Sequence, residues 1–175
     1  MNLYFLQEFL AAGTLLIHIL LAVFILSFIY EKITNKKTLI DLKSYFQKNS
    51  ILFSFLIAFI ATIASLIYSE IILLVPCNLC WYQRIFIYPL TVMFLTALIK
   101  KDSKVRIYAL PLAMIGALIA LYHYFIQIFQ LSSFCDITST VPCATRYIFE
   151  FGYITIPLMS LTAFIIIILL NLKKN

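Results

Sequence analysis

The stretch of sequence that decides the fold is residues 51–75, ILFSFLIAFIATIASLIYSEIILLV, in which Glu70 is the one charged side chain. A helix rises about 1.5 Å per residue and a bilayer core is about 30 Å thick, so this run predicts a membrane-spanning helix. The whole chain has the same character, because 64% of its 175 residues are apolar, 11% are charged and the mean hydropathy is +1.06. A water-soluble globular domain is excluded, since such domains are about half apolar and a quarter charged.

Four further apolar runs accompany this one, at residues 9–30, 81–99, 107–129 and 153–172. Together the five runs predict an all-α, polytopic membrane protein in which residues 1–175 form a single integral membrane domain. Pro89 and Pro157 fall within two of the runs, where a proline is expected to bend a helix.

The basic residues are distributed unevenly. Eleven of the thirteen Lys and Arg residues lie at 31–50, at 100–106 or after residue 172. Because Lys and Arg accumulate on the cytoplasmic side, we expect a multi-pass plasma-membrane protein with the N-terminus outside and the C-terminus in the cytoplasm. Segments 76–80 and 130–152 then lie outside. The net charge of +6 indicates contact with the anionic heads of the lipid bilayer, and no nucleic-acid partner is expected.

The connector between the first two runs carries a short amphipathic pattern. Leu39, Leu42 and Tyr45 or Phe46 recur at helical spacing, which predicts a helix lying along the cytoplasmic interface. An ordinary polar linker fits so short a pattern equally well.

All four cysteines fall in the two external segments: Cys77, Cys80, Cys135 and Cys143. Cys80 is at the predicted start of a helix, with Arg84 one turn further on, and both the helix N-terminus and the guanidinium stabilise a thiolate. A C-x-x-C disulfide opens and closes without rearranging the backbone, which favours redox turnover. The second pair lies in a long loop, which we expect to move and to carry a disulfide to an incoming protein.

Two other interpretations of the cysteines remain open at this point. Disulfides outside the cell are commonly static braces, and four thiolates can also hold zinc. The irregular spacing of Cys135 and Cys143 and the oxidising exterior count against the second, so no metal site is expected.

Five motifs in order along the chain carry a resemblance to a known family. They are PCNLCWYQR at 76–84, YPL at 88–90, YH at 122–123, VPC at 141–143 and TIPL at 155–158. Over about residues 51–172 the chain resembles the DsbB family of membrane thiol oxidases, and within it the BdbC branch. The resemblance implies a four-helix transmembrane bundle, so the helix at 9–30 is an addition. Two departures are the short interval between Cys135 and Cys143 and the presence of Gln83 where some members carry an acid.

The resemblance also implies a relay of two electrons from a reduced thioredoxin-fold protein to a membrane quinone, either menaquinone or ubiquinone. In that relay Cys135 accepts the partner's thiolate and Cys143 leaves. Cys77 and Cys80 then reoxidise that pair, and Cys80 faces the quinone. The same resemblance places two quinone-binding side chains: Arg84 and His123.

Each of these assignments has a simpler alternative interpretation. Arg84 at a membrane edge can extend to the lipid headgroups, and a helix-buried His123 can be bonded to a neighbouring carbonyl. Glu70 can accept a proton near the quinone or be an interfacial carboxylate without a task. His18, in the additional helix, is expected to be structural. For the whole protein the alternatives are a membrane scaffold with two structural disulfides and a carrier that delivers reducing equivalents outward.

Overall fold

The computed structural model describes residues 3–34, 40–131 and 141–172, and the chain in these ranges is almost entirely helical. The described helices are α1 Leu3–Thr34, α2 Ile40–Lys48, α3 Ser50–Leu66, α4 Asn78–Lys100, α5 Val105–Phe129 and α6 Ile156–Asn171. A π-helical turn, Ile67–Ile71, extends α3. The predicted all-α class is confirmed.

Three helical segments are long and apolar enough to cross a membrane: Ser50–Ile71, Asn78–Lys100 and Val105–Phe129. The described apolar part of α1 is Leu10–Val23, and α6 has 16 residues, or a length of about 24 Å. The protein is therefore a membrane protein with helices at all five predicted positions. That α1 and α6 also cross the bilayer stays a prediction.

The start of α6 corrects the prediction for residues 153–172. The helix begins at Ile156, and Pro157 lies in its first turn, where the missing N–H has no helical partner to lose. The expectation that Pro157 bends a helix is therefore wrong, whereas Pro89 does lie inside α4. Before α6 the chain makes a tight turn in which the backbone N–H groups of Glu150 and Ile154 donate to each other's carbonyls, at 3.0 and 2.9 Å.

The core lies where α3, α4, α5 and α6 pack together as a bundle. Phe94 of α4 and Phe164 of α6 are fully buried at its centre. Gly116 of α5 lies directly under the ring of Phe164, and a Cβ at this position would overlap the ring. Small residues in α3 and α5 let the helices approach closely, as is usual between membrane helices. They include Ala58, Ala109, Ala113 and Ala120.

The two N-terminal helices join the bundle through a few specific contacts. The connector does form a helix, α2, and the ring of Phe46 packs 5.1 Å from that of Phe53 in α3. In α1, the Nε2 atom of His18 lies 2.8 Å from Thr162 Oγ1, and its Nδ1 atom lies 3.2 Å from Tyr153 Oη. His18 therefore ties α1 to α6 and to the turn before it, in agreement with the structural role expected for it.

Candidate redox site

The first cysteine pair brackets the start of α4. Cys77 is the residue that caps the helix N-terminus, and Cys80 lies in the first turn. The helix begins at Asn78, three residues before the predicted run, because the run was delimited by hydropathy and the helix continues through the polar Asn78. The two sulfur atoms are 3.3 Å apart, with the Cys77 thiol donating to Cys80 Sγ. This is the spacing at which a pair of thiols can close to a disulfide with small movements.

The two cysteines differ in their surroundings. Cys77 is only 5% exposed. Its hydrogen bond to Cys80, together with its burial, raises the pKa of Cys77 to about 12. Cys77 is therefore the protonated donor of the pair and Cys80 the acceptor. A hydrogen bond in this direction is the one that a thiolate at Cys80 would accept. The charge of Arg84 acts on Cys80 from one turn further along α4.

His123 joins the two cysteine-bearing segments. It is fully buried on α5, with Nε2 3.1 Å from the carbonyl oxygen of Cys143 and 3.6 Å from Cys77 Sγ. Its Nδ1 atom lies 3.0 Å from Gln83 Nε2. Because the Gln83 amide donates to Nδ1, the proton of the neutral ring is on Nε2 and points toward the Cys143 carbonyl. The contact with the Cys143 carbonyl is of the kind expected in the alternative interpretation of His123, a bond to a neighbouring carbonyl.

The loop that carries the second pair is firmly attached at its Cys143 end. Cys143 is 1% exposed and packs in one buried cluster with Cys77. The Gln127 amide donates to the carbonyl of Thr145 at 2.9 Å. Arg146 donates to the carbonyls of Gln127 and Ile128, at 2.7 and 3.0 Å. Cys135 lies outside the described residues. The expected loop motion is therefore opposed by several bonds at its Cys143 end.

A large cavity lies next to Cys80. Its volume is about 1090 Å³, and most of its lining is apolar. Cys80, Gln83 and Arg84 line one end, whereas Cys77 and His123 are not among the lining residues. The Arg84 guanidinium donates to the carbonyl of Ser65 at 3.2 Å and lies 5.2 Å from the centre of the Trp81 ring. The half-buried Arg84 thus directs its guanidinium to a backbone carbonyl of α3 at the cavity.

The structure thus brings together five of the six predicted site residues, namely Cys77, Cys80, Arg84, His123 and Cys143. Glu70 is exposed and accepts a hydrogen bond from the adjacent Ser69 hydroxyl at 3.1 Å.

Three residues of the site were missed or undervalued in the sequence. Gln83 was noted only as a departure from the family, although it bonds to His123 and lines the cavity. Arg146 and Tyr147 were missed as anchors of the loop; the Tyr147 hydroxyl donates to the carbonyl of Val75 at 3.1 Å. Partial burial raises the pKa of Tyr147 above its ordinary value. No local pattern in the sequence signals such a contact, because its partner lies 72 residues away.

One further chemistry is compatible with the site. Ligand atoms of Cys77, Cys80 and His123 all lie within 4.8 Å of one another, as in a Cys₂His metal site. Metal binding through Nε2 of His123 requires loss of the proton now donated to the Cys143 carbonyl. The geometry therefore favours thiol chemistry in the arrangement observed.

Fold and site together define a helical membrane protein with a dithiol between a buried loop cysteine and an apolar cavity. The family model described as "Disulfide bond formation protein DsbB" matches residues 47–173. The chain is 46% identical to disulfide bond formation protein C of Bacillus subtilis (strain 168), over 70% of this chain and 92% of the relative. It is 49% identical to probable disulfide formation protein C 1 of Bacillus anthracis, over 63% of this chain and 80% of the relative. No solved structure matches the chain.

The chain belongs to the DsbB family. It is a membrane oxidoreductase that generates disulfide bonds.

Proposed function

We propose that the protein reoxidises an extracytoplasmic thioredoxin-fold protein and delivers the two electrons to a membrane quinone. The observation that carries the proposal is the position of the cysteine pair between the loop and the cavity. Cys77 is buried in one cluster with Cys143, and Cys80 packs against that cluster and also lines the cavity. A pair arranged in this way exchanges disulfides on one side and passes electrons on the other.

The residues around the cavity fit a quinone. Ligand pockets commonly measure about 300–1,000 Å³ and are mostly apolar with a few placed polar groups, and this cavity has that character. Arg84 carries five N–H donors, one of which is directed to Ser65 O, and it is the cation that stabilises negative charge on a quinone oxygen. When bound, a quinone supplies the acceptor for the two electrons and two protons released as the Cys77–Cys80 dithiol becomes a disulfide.

The exchange steps on the loop side balance as follows. A thiolate of the partner attacks Cys135 of a Cys135–Cys143 disulfide, forming a mixed disulfide and releasing the Cys143 thiolate. That thiolate attacks Cys77 of the Cys77–Cys80 disulfide, and Cys80 leaves. The second thiolate of the partner then closes the partner's own disulfide and releases Cys135, which attacks Cys143 and releases Cys77. The partner leaves oxidised, and the Cys77–Cys80 pair is left reduced.

His123 and Gln83 act in this scheme as positioning residues. Through Nε2 His123 holds the Cys143 carbonyl beside Cys77, and through Nδ1 it is bonded to Gln83, which lines the cavity. A role of His123 toward the quinone is then exerted through Gln83. The pair of bonds also fixes the rotation of α4 against α5 at the level of the cysteines.

The distribution of Lys and Arg supports the proposed sidedness. At the end of the bundle opposite the cysteines, Lys100 lies in the last turn of α4, and Arg106 donates to the carbonyl of Gln47 at 3.4 Å. We therefore place the cysteines outside and the C-terminus in the cytoplasm. A membrane-impermeant maleimide should label Cys80 in reduced intact cells; labelling only after the cells are opened would reverse the orientation.

The direct test follows electrons and mixed disulfides in purified protein. A reduced thioredoxin-fold protein should drive stoichiometric quinone reduction, and Cys80→Ser should abolish it. A partner that retains only its first active-site cysteine should form a mixed disulfide with the wild type and none with Cys135→Ser. Static disulfides would leave the thiol content unchanged after mixing, and an outward carrier would reduce the partner at the expense of quinol. Stoichiometric zinc with no reducible disulfide would establish the metal-binding alternative.

Arg84→Lys tests the guanidinium separately from its charge. Lys keeps the charge but lacks the planar set of donors, so we expect a rise of about tenfold in the quinone KM. Arg106→Lys is the matched control at the other end of the bundle and should leave the KM unchanged. An unchanged KM in Arg84→Lys would remove planar recognition from the proposal.

A further inference from the structure

The cavity continues far beyond the redox residues. Residues lining it on α6 extend from Ile156 to Leu170, a length of about 21 Å along the helix, and Leu172 lines it just past the helix end. Phe46 and Gln47 line it at the end opposite Cys80. The cavity thus runs along most of the thickness of a bilayer core, which is about 30 Å. A quinone ring at the Cys80 end leaves most of this length to an apolar chain.

The additional helix α1 supplies one wall of the cavity. The lining positions in its described apolar part recur every three or four residues, as they do on one face of a helix. They are Leu10, Gly13, Thr14, Ile17, Leu20, Leu21 and Val23. Thr14 keeps this wall apolar because its hydroxyl donates to the carbonyl of Leu10, at 2.8 Å, within the same helix. Leu16, by contrast, is 59% exposed and does not line the cavity.

Two further observations suit this wall to a chain-like ligand. Gly13 leaves open space, since a Cβ added there meets no atom within 4 Å. The wall is also fixed in place, because Thr162 donates its own hydroxyl proton to Leu158 O and therefore accepts from His18 Nε2. The remaining ring nitrogen of His18 then accepts from the Tyr153 hydroxyl. This bonding holds α1 against α6 beside the cavity.

We infer that α1 forms one wall of a channel that holds the polyprenyl tail of the quinone, with Gly13 leaving room where the tail leaves the ring. This inference rests on the proposed function, since it takes the ligand ring to bind beside Cys80 and Arg84. The polar ring of the ligand matches the end of the cavity that carries Arg84. Its apolar chain matches the apolar lining along the helices. Contact of the tail with the α1 wall makes the affinity depend on the tail as well as on the ring.

The test measures binding by fluorescence, independently of turnover. Trp81 is the single tryptophan of the chain and lies beside Arg84, so a quinone at this end should quench it. The probes are 2-methyl-1,4-naphthoquinone, which has no tail, and the same ring with a four-prenyl tail. The wild type should bind the tailed probe at least about tenfold more tightly. Gly13→Phe fills the channel and should raise the Kd of the tailed probe about tenfold, with less than a twofold change for the tailless one.

Two control variants separate channel filling from a general effect on α1. Leu16→Phe adds the same ring on the lipid-facing side and should leave both Kd values unchanged. Ile19→Phe adds a ring at a second exposed position of α1 that does not line the cavity and should also bind both probes like the wild type. Unchanged binding of the tailless probe by Gly13→Phe reports that the variant is folded.

The contrary outcomes are distinct from one another. Equal Kd values for the tailed probe in Gly13→Phe and the wild type would overturn the inference, as would a wild type that does not distinguish the two probes. Release of a copurifying phospholipid by Gly13→Phe, with tailed-probe binding unchanged, would assign the channel to an acyl chain and also overturn it. Failure of both probes to bind the wild type would instead overturn the proposed quinone function.

Discussion

Replacing Arg146 by Gln tests how the loop delivers Cys143 to the first pair. The guanidinium donates to two carbonyls at the C-terminal end of α5, those of Gln127 and Ile128, and lies 4.6 Å from the centre of the Phe149 ring. A hydrogen bond from a charged donor contributes about 1.5–3 kcal/mol, and a cation at a helix C-terminus about 0.3–1 kcal/mol. Arg146 is half-buried, so water replaces part of the lost hydrogen bonding in the variant. We therefore expect Arg146→Gln to lower the free energy of loop opening by about 2 kcal/mol.

A loss of this size multiplies the equilibrium constant for loop opening about 30-fold. Cys143 is 1% exposed, so a maleimide reaches it only when the loop opens. In reduced protein in detergent, mass spectrometry of the modified peptides should therefore find Cys143 alkylated about 30-fold faster in Arg146→Gln than in the wild type. Arg146→Lys keeps the charge but lacks the planar set of donors that meets both carbonyls, and should fall between the two.

Two comparisons decide the interpretation of this experiment. Arg106→Gln removes a guanidinium bonded to a backbone carbonyl at the opposite end of the bundle and should not change alkylation of Cys143. Far-UV circular dichroism serves as the reference for global unfolding, because Cys77 packs in one cluster with Cys143 and would be exposed together with it. Arg146→Gln with the wild-type rate at Cys143 would refute the argument that Arg146 anchors the loop.

The core and the first pair give two further predictions. Gly116→Ala should lower the free energy of unfolding by about 1–3 kcal/mol because the new methyl group overlaps the ring of Phe164, whereas Gly13→Ala should not lower it. Thermal denaturation in detergent measures both, and equal midpoints would contradict the packing at Gly116. Since its bond to Cys80 and its burial raise the pKa of Cys77 to about 12, Cys77 stays a neutral thiol between pH 7 and pH 10. Its alkylation rate should show no thiolate inflection in that interval, and a midpoint near pH 8.5, as in a free thiol, would contradict the assignment.

Part of the site could be predicted from local sequence patterns. The C-x-x-C motif next to an apolar run predicted a dithiol at a helix start, and Arg84 four residues after Cys80 was expected one turn further along the same helix. Both expectations depend on spacing along a single helix. The start of α6 at Ile156 was not readable in this way, because the turn at Glu150 and Ile154 contains enough apolar residues to extend the hydropathic run.

The sequence by itself determined that the chain is an all-α membrane protein with a cysteine pair at a helix start, because hydropathy and helical spacing are properties of contiguous residues. Only the tertiary structure decided which sulfur meets which neighbour. Cys77 is buried in one cluster with Cys143, Cys80 packs against that cluster and also lines the cavity, and His123 bonds to the carbonyl of Cys143, 20 residues away. These facts depend on the rotation of each helix about its own axis. That rotation is set by side-chain packing between segments far apart in the chain, which no local pattern encodes.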